Sequence, residues 1–411
     1  MSPAAASAPG HLRRILLSLL GPREDLWREA LRLDHSDWEA LAALANQHRI
    51  DAHLHGRLAR GELRIKVPPF IAENWRDVHR EWGLVALRQR ADLFEAVRAL
   101  GKAGIENVAL KGSWLAWHAW PNAAERPKRD LDLLVPTNRA LDAFYVLRAA
   151  GYRQDIASAR KPEEMVGNAK HMPQLTSPRG TVLEVHMHAW EPPGSLDHSM
   201  PPPDDAAILA DAIGYADGDP VRYPARHHMF AHLAIHAVYS GRLDAGPLVL
   251  GDIDYLLRGG EVDWPRLWDD ARLGGWLRGA ALLVALVDRW RLPGLVQRAG
   301  CPVQVDDNVL DESADLLLQD LTQRKASGLL VGLRDSYAEA GLAGLAARAA
   351  ERLRGGNRAR HPGADAAATG TTYLAWLARR SGETLAQLRS HEARSISAKA
   401  SKLGRWLDAS D

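Results

Sequence analysis

The chain has 411 residues, of which 46% are hydrophobic, and its 52 basic and 51 acidic side chains nearly cancel to a formal net charge of +1. This hydrophobic content excludes a largely disordered chain, and the length is sufficient for two or three domains. The balanced charge also argues against a protein that coats nucleic acid non-specifically, because that affinity comes from many unbalanced cations.

Cys301 is the only cysteine, so the chain cannot form an internal disulfide or a cysteine-built zinc site. No apolar run reaches the roughly 20 residues that a membrane-spanning helix needs. The N-terminal residues superficially resemble a signal peptide, but the apolar run from Ile15 to Leu20 is short and no small-residue cleavage site follows it. We therefore expect a cytoplasmic protein that does not associate with membranes.

Helical periodicity dominates residues 1–104, where apolar side chains recur at steps of three and four. Asp34 or Ser36 is a candidate N-terminal cap for a helix that contains Trp38. A long helix is predicted from about Phe70 to Leu100, before the glycines at 101 and 104. The sequence therefore begins with a helical region.

The pattern changes to strand-like over residues 105–195. Strands are predicted at 108–110, 130–135 and 181–188, and helices at 113–120 and 138–150. We expect an α+β fold, in which a small mixed sheet with two or three flanking helices lies between helical regions.

Prolines at 192–193 and 201–203 predict a linker, after which helical periodicity resumes. We predict a helical domain over 204–350 and a basic helical segment over 351–411, which has eleven Lys or Arg against six Asp or Glu. Residues 355–370 have the composition of a flexible loop. The basic segment is interpreted as a solvated helical face or as a docking surface for an acidic peptide or an RNA.

Two aspartates in the predicted strand 130–135 are the strongest candidates for chemistry. Asp130 and Asp132 are two residues apart, so a strand places both carboxylates on one face, while Leu131 and Leu133 face the core. Two adjacent carboxylates repel each other unless a divalent cation such as Mg²⁺ lies between them. Glu184, on the predicted strand 181–188, is a third candidate ligand if the two strands are neighbours. An isolated Asp-x-Asp is otherwise a common solvated strand end.

A predicted strand, a turn and a predicted helix surround Lys111, Gly112 and Ser113. Glycine at such a turn lets the backbone approach a phosphate, and the helix N-terminus and the serine hydroxyl supply hydrogen-bond donors. Lys111 would add a positive charge there, although it could equally be a surface lysine. Arg129 could bind a triphosphate or simply pair with Asp130.

Several histidines are candidates for ligand binding. His186 and His188 share the strand face of Glu184, where His186 could orient a ligand and His188 is better explained as a polar strand residue. His228, His232 and His236 are spaced four residues apart on one helical face, and His236 could line a nucleotide cleft. With Asp252 and Asp254 they weakly suggest a His/Asp metal phosphohydrolase, but the helix lacks the contiguous His-Asp pair of that class.

The segments VALKGSWLAWHAW, RPKRDLDLLVP and LEVHMH together resemble the nucleotidyltransferase superfamily, in particular its bacterial family of uncharacterised nucleotidyltransferases (family 5). The resemblance covers roughly residues 30–260 and is most specific over 105–190. It implies that the mixed sheet is a nucleotidyltransferase palm. It also implies that Gly112 and Ser113 contact nucleotide phosphates, that Asp130 and Asp132 bind metal, and that Glu184 completes the metal site.

We therefore expect an enzyme that uses Mg²⁺ or Mn²⁺ to move a nucleotidyl group from a nucleoside triphosphate to an acceptor, with release of pyrophosphate. Asp130, Asp132 and Glu184 would be catalytic and metal-binding, whereas the nucleotide would contact Lys111, Gly112, Ser113, Arg129, His186 and His236. The acceptor could be a peptide, a protein or a small molecule, and RNA is disfavoured by the neutral charge. The alternatives are phosphoryl transfer by the same site and an idle nucleotide-binding or interaction scaffold.

Overall fold

A computed structural model describes residues 9–154, 161–167, 169–190, 205–215, 218–355 and 390–409. The predicted linker at 192–203 and all but the first residue of the predicted loop 355–370 lie outside these residues. The chain divides into two compact units, Met1–Ala314 and Asp315–Asp411. The division into four regions made from the sequence stays a prediction.

Five helices form the first part of the larger unit, which confirms the helical pattern read from the sequence. They are α1 (Pro9–Leu19), α2 (Glu24–Ala30), α3 (His35–Gln47), α4 (Asp51–Ala59) and α5 (Pro69–Lys102). Asp34 caps α3, because its carboxylate accepts a hydrogen bond of 2.8 Å from the backbone N–H of Asp37. Pro69 starts α5, where the lack of a backbone N–H costs nothing.

A mixed five-stranded sheet follows the long helix, as predicted. Its strands are β1 (Val108–Ala109), β2 (Asp130–Leu134), β3 (Arg153–Gln154), β4 (Leu175–Thr176) and β5 (Val182–His186), in the spatial order β1-β2-β5-β4-β3. The central pair, β2 and β5, is parallel, and the other pairs are antiparallel. The fold is therefore α+β.

The two central strands have one apolar and one acidic face. Leu131, Leu133, Leu183 and Val185 are completely buried, because alternate residues of a strand point to the same side. Asp132 lies opposite Glu184 in the parallel register, as Asp130 lies opposite Val182. The apolar face fixes this register, since a shift by one residue would expose all four core side chains.

Helices surround the sheet and continue beyond it. They are α6 (Gly112–Trp114), α7 (Ala140–Ala149), α8 (Pro162–Met165), α9 (Asp205–Ala210), α10 (Arg226–Ile235), α11 (Leu248–Arg258), α12 (Trp264–Leu273), α13 (Leu277–Trp290), α14 (Leu295–Arg298) and α15 (Asp307–Leu317). The helix predicted at 113–120 exists, but its second part is a π-helical turn over Leu115–Ala119. The strands β6 (Ile213–Gly214) and β7 (Arg222–Tyr223) form a small separate sheet that the sequence did not predict.

The smaller unit is helical. Its main elements are α16 (Arg324–Gly355), in which Ala340 and Gly341 have non-helical backbone angles, and α17 (His391–Asp408). Helix α17 packs on α16 and buries Ile396, Leu403 and Leu407. Within the described residues of the whole chain, no helix has both the length and the apolar character that crossing a bilayer requires.

Candidate functional site

A cleft of about 390 Å³ in the larger unit brings together all nine residues that the sequence singled out as site residues. They are Lys111, Gly112, Ser113, Arg129, Asp130, Asp132, Glu184, His186 and His236. These residues come from β2 and the residue before it, from β5, from the turn after β1 with the helix that it starts, and from the residue that follows α10. The fold thus joins segments that are more than 100 residues apart in the sequence.

The acidic residues enter the cleft from the parallel strands β2 and β5. Asp132 and Glu184 are direct neighbours across the two strands, and Asp130 precedes Asp132 on the same face. Gln174 donates a hydrogen bond of 2.5 Å to Oε1 of Glu184 and so orients that carboxylate. The pairing of β2 with β5, on which the predicted convergence of the three acids depended, is present.

His186 lies between two of these carboxylates. Its Nε2 is 3.0 Å from Oδ1 of Asp132 and 3.2 Å from Oε2 of Glu184, and the imidazole is almost fully buried. One ligand atom from each of Asp132, Glu184 and His186 lies within 4.8 Å of the others, which is compatible with a single bound metal ion. The oxygens of Asp132 and Glu184 suit Mg²⁺ or Mn²⁺, so these two carboxylates fit the expected cation, while Nε2 of His186 contacts both of them.

The acidic residues have different protonation behaviour. Burial, together with the charges of Asp132 and Glu184, raises the pKa of Asp130 to about 6. Burial acts in the same direction on Asp132, but Lys111 and His186 outweigh it and hold the pKa of Asp132 well below its ordinary value. Asp130 is thus a carboxylate whose charged form is disfavoured by burial and by its acidic neighbours, and a bound cation would favour that charged form.

The turn after β1 presents a cation and a hydroxyl to the cleft. Nζ of Lys111 lies 3.7 Å from Oδ2 of Asp132, and the backbone of Lys111 has a positive φ of 41°, which non-glycine residues rarely adopt. Ser113 is buried, and its hydroxyl has no hydrogen-bond partner within the described residues. Because buried hydroxyl groups are normally paired, Ser113 is a ready donor for a ligand in the cleft.

Two further cations precede Asp130 in the basic run at 126–129, of which the sequence analysis singled out only Arg129. Lys128 and Arg126 line the cleft, and the side chain of Lys128 passes 3.4 Å from the position that a Cβ of Gly112 would occupy. Burial and the charge of Arg126 lower the pKa of Lys128 to about 7. The spacing of Lys128 and Asp130, two residues apart at the start of a strand, was the available signal.

Asp252 holds Arg126 in place from helix α11. The Nε and NH2 groups of Arg126 donate hydrogen bonds of 2.6 and 2.8 Å to the two oxygens of Asp252, and Trp120 donates a third, of 2.9 Å. Asp254 pairs with Arg291 and Arg258 instead. Because both aspartates serve as anchors for arginines, the structure does not assemble the His/Asp phosphohydrolase site considered above.

The histidines of α10, and His236 directly after it, have separate surroundings. Nδ1 of His236 is buried at the cleft without a partner in the described part of the chain, and the charge of Lys111 followed by burial holds the pKa of His236 well below its ordinary value. A neutral imidazole there can donate or accept one hydrogen bond to a ligand. His232 is buried deeper, and His228 lies 3.1 Å from Asp211, outside the cleft.

The structure also places the two remaining candidates, His188 and Arg129. His188 binds Asp205 at 2.8 Å, in agreement with its interpretation as a polar strand residue. Arg129 is exposed at the rim of the cleft, and within the described ranges it forms no ion pair with Asp130. Arg49, Lys170 and His171 add positive or polar surface from distant segments, for which no local sequence pattern gave a signal.

The cleft therefore combines carboxylates that suit a divalent cation with several lysines and arginines and with the buried Ser113. This combination can hold a metal–polyphosphate and stabilise charge at the phosphates. A family model described as uncharacterised nucleotidyltransferase matches residues 34–291, which is more than half of the chain. A comparison with curated proteins finds no match.

Proposed function

Because the chain belongs to the family of uncharacterised nucleotidyltransferases, we propose that it transfers a nucleotidyl group from a nucleoside triphosphate to an acceptor in a Mg²⁺-dependent reaction. The observation that carries the proposal is the pairing of Asp132 with Glu184 across parallel strands, beside the unpartnered hydroxyl of Ser113. Candidate metal ligands and a candidate hydrogen-bond donor to phosphate thereby line one cleft.

Asp130, Asp132 and Glu184 would hold Mg²⁺ or Mn²⁺ in this cleft. When bound, the cation neutralises phosphate charge and orients the triphosphate for in-line displacement. His186, buried between Asp132 and Glu184, fixes the orientation of both carboxylates through its Nε2 contacts of 3.0 and 3.2 Å. The acids would therefore be positioned before the nucleotide arrives.

The triphosphate would be bound by the cations that line the same cleft as the acids. Ser113 would donate its free hydroxyl, and Lys111 and Lys128 would supply positive charge. Arg126, clamped by Asp252, would contribute a guanidinium in a fixed orientation. Fixed donors of this kind stabilise the transition state because they need no reorganisation when charge develops.

In the proposed reaction an acceptor hydroxyl attacks the α-phosphorus of the nucleotide. The bond from the α-phosphorus to the oxygen that bridges to the β-phosphate breaks, pyrophosphate leaves, and Glu184 helps to take the hydroxyl proton. The acceptor class remains a peptide, a protein or a small molecule, with RNA disfavoured by the net charge of +1.

The metal site is tested by calorimetric titration of the protein with a non-hydrolysable nucleoside triphosphate, with and without Mg²⁺. We expect binding that depends on Mg²⁺ in the wild type and is lost in Asp130→Asn/Asp132→Asn. Asp142→Asn is the matched control, because Asp142 is an exposed aspartate paired with Arg139 outside the cleft. Unchanged Mg²⁺-dependent binding by the double variant would refute the site.

The reaction is tested by incubating the protein with isotopically labelled nucleotides and cell lysate, followed by mass spectrometry of the modified molecules and a pyrophosphate assay. A nucleotidyl adduct with pyrophosphate release is the expected result. A phosphoryl adduct would instead favour the alternative transfer, in which the γ-phosphate moves. Nucleotide binding with neither adduct nor pyrophosphate would favour the scaffold.

A further inference from the structure

A second group of potential metal ligands lies outside the cleft, and none of its members lines the cleft. It consists of Asp211, which follows helix α9, and of His227 and His228 in the first turn of helix α10. One ligand atom from each residue lies within 4.8 Å of the other two. Within the described part of the chain, this is the one such group besides that of Asp132.

The two imidazoles converge on one carboxylate oxygen. Nε2 of His228 lies 3.1 Å and Nε2 of His227 lies 3.7 Å from Oδ2 of Asp211. The two rings are neighbours, with centroids 4.0 Å apart. In a tetrahedral zinc site with bonds of about 2.0–2.1 Å, ligand atoms are separated by roughly 3.3 Å. The two distances to the carboxylate oxygen bracket this value, and the ligand atoms of the two imidazoles lie within 4.8 Å of each other.

The environment of His227 favours metal binding over simple ion pairing. Its Nε2 is buried and has no hydrogen-bond partner within the described residues, although it lies near the carboxylate. A buried imidazole nitrogen without a hydrogen-bond partner is available to a ligand such as a metal ion.

We propose that Asp211, His227 and His228 form a zinc-binding site. Two imidazole nitrogens and one carboxylate oxygen are a ligand set that zinc accepts, whereas Mg²⁺ prefers oxygen ligands alone. Asp211 is partly open to solvent, with 46% of its side chain exposed, so water can complete the coordination. The site is independent of the carboxylates in the cleft and stands whether or not the cleft is catalytic.

The site would fix one end of an element that reaches the cleft. Asp211 follows α9, and the two histidines begin α10, so a bound ion would tie these helices together. Helix α10 ends at Ile235, directly before His236, which lines the cleft. The histidines are separated from His236 by eight or nine residues, a helical rise of about 12 Å. The expected role of the ion is therefore to stabilise the fold.

The test uses the full chain with the cleft carboxylates neutralised, as Asp132→Asn/Glu184→Gln, so that the cleft does not compete for zinc. The protein is freed of metal with a chelator and titrated with Zn²⁺ against a chromophoric indicator. We expect one equivalent to bind and to raise the melting temperature. Adding His227→Gln/His228→Gln should weaken the affinity by more than about tenfold, because two of three ligands are lost.

His35→Gln in the same background is the matched control. His35 lies 3.4 Å from Glu39 and forms an exposed histidine–carboxylate pair without a second imidazole. Zinc affinity should be unchanged in this control. Circular dichroism of the metal-free proteins checks that the histidine variants fold. The proposal is overturned if the background protein binds no zinc, or if the folded variant without both histidines binds it equally well.

Discussion

The hydroxyl of Ser113 is buried beside the acidic residues and has no partner among the described residues. An unpaired buried hydroxyl costs about 1–3 kcal/mol of stability, whereas a hydrogen bond to a charged phosphate contributes about 1.5–3 kcal/mol to binding. Ser113→Ala should therefore leave the ligand-free melting temperature unchanged or higher. It should weaken Mg²⁺-dependent nucleotide binding by roughly tenfold or more. Calorimetry of both processes measures the two effects.

Ser177→Ala is the control for this prediction. Ser177 is also fully buried, but its hydroxyl binds the Asp92 carboxylate at 2.9 Å and accepts a hydrogen bond from the backbone of Thr181. Its loss should lower the melting temperature and leave nucleotide affinity unchanged, since Ser177 does not line the cleft. A loss of stability in Ser113→Ala equal to that in Ser177→Ala would contradict the predicted role of Ser113.

At the residue scale, the local sequence pattern identified the acidic residues of the cleft but not all of its basic residues. Asp130 and Asp132 could be placed on one face because a strand repeats every two residues. Lys128 has the same spacing to Asp130 but was passed over within a basic run. Arg49 and Lys170 reach the cleft from distant segments, so only folding brings them to the acids.

Gly56 in helix α4 and Gly83 in helix α5 have opposite surroundings. A Cβ on Gly56 would overlap the carboxylate of Glu125, which is completely buried and held by His53 and Arg60. A Cβ on Gly83 would meet only the Cβ of Ala124, at 3.9 Å. We expect Gly56→Ala to destabilise the protein by about 1–3 kcal/mol.

Gly83→Ala should instead stabilise the protein by up to about 1 kcal/mol, because alanine has the higher helix propensity. Urea denaturation of both variants measures the difference. Equal effects would show that the carboxylate of Glu125 can move away and that α4 is not tightly packed there.

The contact between α4 and the turn at Glu125 also predicts a pH dependence. His53 is buried with its Nδ1 2.9 Å from Glu125, and burial lowers the pKa of His53 from 6.5 to about 4. The contribution of neutral His53 to the free energy of unfolding is fully present above pH 6.5. It is lost as the pH falls towards 4, because the histidine of the unfolded state then binds a proton that the buried His53 does not. The loss amounts to at most about 3 kcal/mol.

Urea midpoints between pH 7 and pH 4.5 measure this effect. His53→Gln should flatten the dependence on pH, because the variant has no group that titrates at this position. The readout is the slope of the urea midpoint against pH. The midpoint at a single pH is not compared, because the variant also loses packing contacts of His53. Equal slopes in wild type and variant would assign the acid sensitivity to other groups.

At the element scale, long elements were predictable, whereas β1 was the one two-residue strand of the described residues that was predicted. Helix α5, at Pro69–Lys102, and strand β2, at Asp130–Leu134, have enough residues for a periodic pattern to stand out. Strands β6 and β7 have two residues each, which no periodicity can define. The π-helical turn at Leu115–Ala119 has the same apolar spacing as an α-helix and was predicted as one.

The net charge of +1 leads to a prediction for the whole molecule. Non-specific affinity for nucleic acid depends on many uncompensated cations and falls steeply with salt. We expect binding to a 40-nucleotide single-stranded RNA to be weaker than about 1 µM at 150 mM salt. Fluorescence anisotropy at several salt concentrations measures this affinity. Submicromolar binding with a steep salt dependence would point to the basic segment 351–411 as an RNA-binding surface.

The sequence by itself determined the fold class, the order of the main elements and the acids of the candidate site, because each depends on a local repeat or on a motif of a few residues. Tertiary structure decided that β5 lies beside β2, and hence that Glu184 faces Asp132. It also placed His186 between these carboxylates and joined Asp211 to two histidines of α10. Such pairings depend on burial between distant segments, which no local pattern encodes.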